Sequence, residues 1–459
     1  MNRLIKNGTI ITANDTFHAD IRIQNEKISE IAACLKPKTG EEVLDAKNNY
    51  VFPGGIDPHV HLDMPFMGTT SADDFESGTR SAAAGGTTSV IDFAIQEKGQ
   101  TLKETLEIWR KKAVPKALID FSHHVAITDY NDYIEKEIPE VIKNGFKSFK
   151  CFMAYKGALM VDDSQLFRII EQTKKHKALL TIHCENGDIV ALLQKNFIAG
   201  DCTSPKYHPL SRPAIIEGEA TGRAFNLARY LEWPVYIVHM TCEESVSRLI
   251  SARAKGQLVF GETCIQYLLL DDSVYEKPNF EGAKFVMSPP IRKKKDQDYL
   301  WSALKLGHLS VVSTDHCPFD FKKKKEMGKN NFCLIPNGAP IVQHRLNLLY
   351  TYGVLTKKIN LNRFVELGST NAAKLFGMYP TKGTITVGSD ADLSIFNPKP
   401  EWTISAKNHF HNCDYALFEG WKVTGEFAEV LSRGETIFKN GKAFGKPGRG
   451  KYLVRKSFE

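Results

Sequence analysis

A pair of histidines two residues apart is the first pattern in this sequence that could do chemistry. His59 and His61 follow the apolar run 50–52, within the stretch 54–63. Residues two apart on a β-strand point to the same face, so both imidazoles could bind one metal ion. A lone His-x-His pair is equally consistent with two surface histidines that bind nothing. The metal-binding interpretation is favoured here because further candidate ligands follow at later predicted strands.

Four later residues complete a candidate two-metal site. Each lies on or at the end of a predicted strand, and the candidate ligands are His59, His61, Lys150, His183, His239 and Asp315. Four imidazoles and a carboxylate suit zinc or a related first-row ion. The lysine fits because a desolvated neutral amine can react with carbon dioxide to give an anionic carbamate, which can bridge two ions. Lys147 and Lys150 are three apart and point to opposite faces of a strand, so only one can be this ligand.

Such a site predicts hydrolysis at an amide-like carbon. Metal binding lowers the pKa of water from 15.7 towards about 7, and a metal ion also polarises a carbonyl oxygen. Asp315 would take the proton of the attacking water and pass it to the leaving nitrogen. Tyr155 either packs in the loop after the fourth strand or donates to the developing oxyanion. The histidines that lack comparable support are interpreted as structural or supporting residues: His123, His124, His208 and His316.

Alternating strands and amphipathic helices between residues 53 and 380 must position these side chains. The eight strand candidates are 51–62, 88–94, 118–127, 145–153, 179–186, 234–241, 258–264 and 309–316. This pattern predicts an α/β fold, a (β/α)8 TIM-like barrel, in which catalytic groups from the carboxyl ends of the strands meet at one mouth. The segment is longer than the ~250 residues typical of this barrel, so several loops must be enlarged.

The two chain ends have a different sequence pattern. Residues 1–52 and 381–459 contain short strands of period two with turn residues between them, and the second segment also carries the C-terminal tail. We therefore predict one small β-sandwich domain formed by both chain ends, with the catalytic barrel at 53–380 between its two parts.

Composition narrows the class of protein. The chain has 459 residues, of which 42% are hydrophobic and 25% charged, with a formal charge of +7. The basic runs 292–295 and 322–325 are interpreted as solvated loops, so nucleic-acid binding is not indicated. Nine cysteines without a C-x-x-C pair indicate reduced thiols and a cytoplasmic location. No segment predicts a signal peptide or a membrane span.

Six motifs carry a resemblance to a known family. They lie at 54–66, 149–156, 261–264, 287–290, 315–318 and 336–338. Over essentially its whole length the chain resembles the cyclic amidohydrolases, and within them the dihydropyrimidinase and D-hydantoinase group. The resemblance implies the barrel and sandwich predicted above, and two zinc ions bridged by carboxylated Lys150. One ion would be bound by His59 and His61, the other by His183 and His239.

The resemblance also implies a reaction. The ring amide of 5,6-dihydrouracil, dihydrothymine or 5-substituted hydantoins would be opened to an N-carbamoyl amino acid. Tyr155 would stabilise the oxyanion, and main-chain groups at Ser288 and Asn337 would bind the imide-like edge of this cyclic ureide or imide. Members of the group are usually homotetramers, and a homodimer is the alternative.

Two departures from the group bear on substrate preference. Ile341 and Gln343 stand where the group usually has glycine and glutamate, and Ile265 follows Cys264 where proline is customary.

Three alternative functions share features with this sequence. Dihydroorotase usually has an arginine where this protein has Asp63, and this anion would repel the substrate carboxylate. An allantoinase-like enzyme shares the metal site and stays open. A non-catalytic scaffold, like the collapsin response mediators, is disfavoured because all six ligands are present.

Overall fold

Eight parallel strands form a barrel in a computed structural model that describes residues 2–458. In barrel order they are Gly55–Val60, Thr87–Ile95, Asp120–Ala126, Ser148–Phe152, Leu179–His183, Val235–Ile237, Val259–Cys264 and Val311–Ser313. The barrel closes between its first and last strands, where Val60 pairs with His316 and the His61 amide donates to the His316 carbonyl at 2.8 Å. The predicted barrel is confirmed.

The first predicted strand is wrong as a single element. Residues 51–62 divide into Tyr50–Pro53, which belongs to the other large sheet, and Gly55–Val60, which opens the barrel. The break falls at Gly54, whose amide donates to the Asp392 carbonyl at 2.8 Å. A Cβ at Gly54 would lie 2.1 Å from the hydroxyl oxygen of Thr88, so only glycine fits at this crossing point.

Helices follow the barrel strands and cover the outside of the barrel. The α-helices are Phe75–Ala84, Leu102–Ala113, Asp132–Lys143, Asp163–Lys175, Gly187–Ala199, Tyr207–Leu210, Ala214–Tyr230, Glu243–Ala254, Ile265–Leu269, Lys294–Lys305, Arg345–Leu349, Leu361–Val365 and Asn371–Leu375. Local sequence sets their ends: Thr101 and Glu104 form a reciprocal capping box at the start of Leu102–Ala113. Shorter 3-10 turns are Asp272–Glu276, Glu281–Phe285, Lys325–Gly328 and Phe332–Leu334, and π-helical turns are Tyr350–Val354 and Glu366–Thr370.

A nine-stranded sheet is built from both chain ends. Its strands are Asn2–Ile11, Thr16–Gln24, Lys27–Ala32, Glu42–Asp45, Tyr50–Pro53, Leu393–Thr403, Lys422–Ser432, Glu435–Lys439 and Lys442–Ala443. Tyr50–Pro53 joins the two halves, because it pairs with Asn2–Ile11 on one side and with Leu393–Thr403 on the other. Residues from both halves share a separate apolar core that includes Ile21, Val51 and Leu393. A two-stranded ribbon, Pro65–Phe66 with Thr69–Thr70, follows the first barrel strand.

The interpretation of the two basic runs as solvated loops is wrong in part: Lys294 and Lys295 begin the helix Lys294–Lys305, and one residue of each run is buried. Arg292 is 8% exposed and pairs with Glu217 at 2.8 Å, and Lys325 is fully buried. Each of these buried cations is satisfied by a single carboxylate or by neutral hydrogen-bond acceptors. Such pairing does not depend on the net charge of the run to which the residue belongs. All nine cysteines are free, as expected. Within residues 2–458, no helix combines the length and the apolar character that crossing a membrane requires.

Candidate active site

The six candidate ligands meet at the carboxyl end of the barrel. One pocket is lined by all of them together with Tyr155, Ser288 and Asn337. Asp315 Oδ1 lies 3.1 Å from the Nε2 atoms of both His59 and His61. On the other side of the pocket, His183 Nδ1 lies 2.9 Å from His239 Nε2. The structure therefore brings together every residue that the sequence proposed for the site.

Two carboxylates behind the ligands orient the imidazoles. His59 donates through Nδ1 to Glu262, and His183 donates through Nε2 to Glu185 at 2.8 Å. A histidine that donates one ring N–H to a carboxylate keeps the lone pair of its other nitrogen for a metal ion. His59 Nε2 and His183 Nδ1 are the nitrogens that neither supporting carboxylate contacts, and they lie beside Asp315 and His239, respectively.

Burial favours the uncharged forms of His61, His239 and Lys150. It lowers the pKa of His61 to about 4 and holds the pKa of His239 well below its usual range. It also lowers the pKa of Lys150 to about 8, against the attraction of nearby carboxylates. His59 is the exception: burial opposes its protonation, but Asp315 and Glu262 outweigh burial and raise its pKa to about 9.

This set of donors fits divalent metal ions. Neutral imidazole nitrogens and a carboxylate are the ligands that zinc and related first-row ions prefer. The Lys150 amine is 1% exposed, and its Nζ lies 4.9 Å from the centre of the Phe93 ring and 5.1 Å from that of Phe152. An amine in such apolar surroundings loses its proton readily. The resulting neutral amine is the form that reacts with carbon dioxide. Lys147, three residues earlier, lies outside this pocket.

Sequence reasoning missed the supporting carboxylates. Glu262 also accepts from the Tyr236 hydroxyl at 2.8 Å, and Glu185 accepts from Arg212 at 2.6 Å. A signal for Glu185 was available, since it lies two residues beyond His183, the spacing of one strand face. Glu262 lies inside the motif 261–264, but the motif alone gives it no role.

Tyr155 lies at the mouth of the pocket. Its backbone has a φ of 65°, in the left-handed region, and the Arg212 guanidinium lies 5.6 Å from the centre of its ring. Burial raises the pKa of Tyr155 to about 12, so the phenol stays protonated and able to donate a hydrogen bond at neutral pH.

Comparison with known proteins adds independent findings. A model described as the amidohydrolase family matches residues 50–437. A D-hydantoinase from Geobacillus stearothermophilus is 50% identical over 459 residues, which cover 100% of this chain and 97% of that protein. The chain belongs to the amidohydrolase family.

Solved structures agree over the full length of this amidohydrolase. A dihydropyrimidinase from Brevibacillus agri NCHU1002 superposes with a TM-score of 0.99 at 48% identity, covering all of both proteins. An L-hydantoinase (dihydropyrimidinase) from Arthrobacter aurescens superposes at 0.91 with 28% identity, covering 99% of this protein and 100% of that one. The protein is thus an enzyme of the dihydropyrimidinase and D-hydantoinase group.

One backbone segment of the amidohydrolase has unused hydrogen-bonding groups beside the metal ligands. The carbonyls of Val286, Met287 and Pro289 accept hydrogen bonds from protein groups. Within residues 2–458, the backbone N–H and C=O of Ser288 have no such partner, although the residue is only 5% exposed. Buried backbone groups are almost always paired, so these two are available to a ligand.

The segment around Asn337 shows the same pattern. The Asn337 side-chain amide donates to the Ser288 hydroxyl at 2.9 Å, which joins the two segments. The amide of Gly338 donates to the Val286 carbonyl at 3.0 Å. Among residues 2–458, the backbone groups of Asn337 itself are unpaired. Both segments therefore line the pocket through a residue whose backbone groups have no partner within the described protein.

A second cluster of histidines and a carboxylate lies nearby but has the wrong hydrogen bonds for a metal. Asp73 Oδ2 lies 3.1 Å from His316 Nε2 and from His411 Nδ1. His316 Nδ1 accepts from the amides of Ile341 at 3.0 Å and Val342 at 3.3 Å, so Nε2 must carry the ring proton and donate it to Asp73. His316 therefore has no lone pair to offer at this cluster.

The residues that depart from the group pattern lie outside the pocket lining. Ile341 is fully buried, and the Gln343 side chain accepts from the Phe410 amide at 2.7 Å. Ile265 begins the short helix Ile265–Leu269 and is also fully buried. The remaining lining residues are apolar, apart from one thiol: Met64, Phe66, Ile95, Phe152, Leu159 and Cys317.

Proposed function

We propose that the enzyme hydrolyses the ring amide of 5,6-dihydropyrimidines and 5-substituted hydantoins to N-carbamoyl amino acids. The observation that carries the proposal is the set of unpaired backbone groups at Ser288 and Asn337, two residues that line the same pocket as the candidate metal ligands. An imide edge presents N–H and C=O groups in alternation, and the carbonyl and amide groups of a backbone are their complement. The names of the relatives, D-hydantoinase and dihydropyrimidinase, give the same substrate class.

Two divalent ions, zinc or a related metal, complete the proposed site. His59 and His61 would hold one, and His183 and His239 the other, with Asp315 and the carboxylated Lys150 as anionic ligands. When bound, such ions supply a water molecule of lowered pKa and polarise the substrate carbonyl. The donor set described above supports this assignment, because burial favours the neutral imidazoles of His61 and His239, and the carboxylates of Glu262 and Glu185 orient those of His59 and His183.

The protein's own residues would move the proton and stabilise the charge. Asp315 accepts the proton of the attacking water and delivers it to the ring nitrogen as the carbon–nitrogen bond breaks. Tyr155 donates its phenolic hydrogen to the oxyanion that forms at the carbonyl oxygen. Ser288 and Asn337 hold the ring so that its amide carbon faces the site. We also propose that the enzyme is cytoplasmic and assembles as a homotetramer, with a homodimer as the alternative.

The test is turnover of three rings by protein loaded with zinc in the presence of bicarbonate. Dihydrouracil, hydantoin and allantoin are incubated in parallel, and ring opening is followed by loss of substrate. Hydrolysis of dihydrouracil or hydantoin well above allantoin is expected. Preference for allantoin would reassign the substrate, and no turnover of any ring by folded, metal-loaded protein would refute the proposed function.

A further inference from the structure

Lys325 is an anomaly among the charged residues of the protein. It is fully buried, although lysine is almost never fully buried without a paired charge. Its neighbour Lys324 forms an ion pair with Asp320 at 3.2 Å, but within residues 2–458 Lys325 pairs with no carboxylate. Burial lowers the pKa of Lys325 to about 7. A buried amine kept at such a cost needs an explanation in structure or function.

Both hydrogen-bond partners of Lys325 lie next to the two recognition segments. Its Nζ donates to the Pro336 carbonyl at 2.6 Å and to the Val286 carbonyl at 2.9 Å. Pro336 immediately precedes Asn337, and Val286 lies two residues before Ser288. One amine therefore connects the two segments that line the pocket through Ser288 and Asn337.

The two carbonyls that accept from Lys325 differ in whether another donor remains when the amine is lost. The Val286 carbonyl also accepts from the Gly338 amide at 3.0 Å, so it keeps one partner without Lys325. Across the residues that the structure describes, the Pro336 carbonyl has no other partner. Losing the amine would leave that carbonyl buried and unsatisfied, and the Asn337 segment would have to shift to find a new donor.

We propose that Lys325 is a positioning residue that fixes the spacing between the Ser288 and Asn337 segments for recognition of the imide edge of the substrate. The inference rests on the proposed function and goes beyond it, because Lys325 is not among the residues that line the pocket. It acts on ring binding, so its loss raises KM more than it lowers kcat and leaves the metal content unchanged.

The test compares Lys325→Met with Lys322→Met in the full-length, metal-loaded enzyme. Methionine keeps the length and apolar body of lysine but has no donor, and Lys322 is an exposed member of the same basic run. We expect KM for hydantoin or dihydrouracil to rise about tenfold or more in Lys325→Met, the loss of one charge-assisted hydrogen bond. Lys322→Met keeps the wild-type KM, and both variants retain the wild-type metal content.

Other outcomes separate the two proposals. An active wild-type enzyme with an unchanged KM in folded Lys325→Met overturns this inference alone, as does a joint loss of kcat and bound metal. A wild-type protein that opens no cyclic amide overturns the proposed function and this inference together. If Lys325→Met does not fold, Lys325→Gln, which retains a shorter N–H donor, takes its place, and its KM must again rise with the metal content intact.

Discussion

Two buried clusters in this enzyme look alike by composition and distance. In one, Asp315 lies 3.1 Å from His59 and His61; in the other, Asp73 lies 3.1 Å from His316 and His411. They differ at the far side of the imidazole ring. His59 gives its other N–H to Glu262, whereas the other nitrogen of His316 receives backbone N–H groups. The partner of the second ring nitrogen therefore decides which cluster can bind metal.

The largest effect on turnover and metal occupancy is expected from replacing Lys150, a residue that belongs to the first cluster only. Lys150→Ala removes the proposed bridging carbamate, so turnover should be abolished and metal occupancy should fall. Small carboxylates such as acetate or propionate should restore part of the activity, because they can replace the anionic bridge. Activity assays with metal analysis by mass spectrometry test this, and a fully active Lys150→Ala enzyme would remove the bridging role.

Next in size is the carboxylate behind His59. Glu262→Gln keeps the shape but loses the charge that orients the His59 ring, so metal affinity should fall by about 10–100-fold. Tyr236→Phe is the matched control, since it removes the other hydrogen bond to Glu262 and leaves the imidazole partner in place. Competition with a chelator of known affinity measures the change. Equal affinities in wild type and Glu262→Gln would contradict the comparison of the two clusters.

The second cluster should respond in stability and not in metal content. Burial opposes ionisation of Asp73, but hydrogen bonds from His316 and His411 outweigh it and hold the pKa of this carboxyl well below its usual range. Asp73→Asn should lower the free energy of unfolding by about 1–3 kcal/mol, because the buried N–H donors lose their charged acceptor. The metal content should stay at the wild-type value.

The pH dependence of this effect follows from the sign of the shift. A lowered pKa in the folded state contributes stability that is fully present above the unfolded value, about 3.9, and is lost as the pH falls further. The gap in urea-unfolding free energy between wild type and Asp73→Asn should therefore be constant from neutral pH to about 5 and shrink below about 4. A gap that widens in acid would show that Asp73 is not the ionised acceptor.

The smallest effect is expected at Gln343, which follows the backbone amides that fix His316. Its side chain accepts a bond from the Phe410 amide and lies outside the pocket lining. Gln343→Glu restores the residue usual in the group and keeps an acceptor at this place, so KM should change less than about twofold, since it alters no substrate contact. Steady-state kinetics on hydantoin and dihydrouracil check this, and a large shift in preference would connect the second cluster to the substrate.

The meeting of the candidate ligands at one pocket could be predicted from sequence, because each lies at a fixed place in a repeating pattern. His183 ends a short apolar strand and His239 follows the next one, and in a parallel barrel all such ends face the same mouth. The free groups at Ser288 were reached only through the family resemblance. No sequence pattern reports which backbone groups lack a partner, since that depends on the surrounding loops.

Two errors had a common physical cause. The basic runs at 292–295 and 322–325 have the composition of solvated loops, yet Arg292 and Lys325 turn inward. The sequence predicts a first barrel strand that runs through Pro53, because apolar residues stand on both sides of this position. In each case a local pattern gave the average behaviour of a stretch, whereas long-range partners such as Glu217 and Asp392 decided the individual residue.

The sheet shared by the two ends of the protein sets the order in which its strands can pair during synthesis on the ribosome. Tyr50–Pro53 emerges early, but its partner Leu393–Thr403 is synthesised some 340 residues later. At roughly 5–20 residues per second, this strand waits about 20 to 70 seconds with one edge open. An open edge can pair with other nascent proteins, so we expect early protection of this strand to raise the yield of active enzyme.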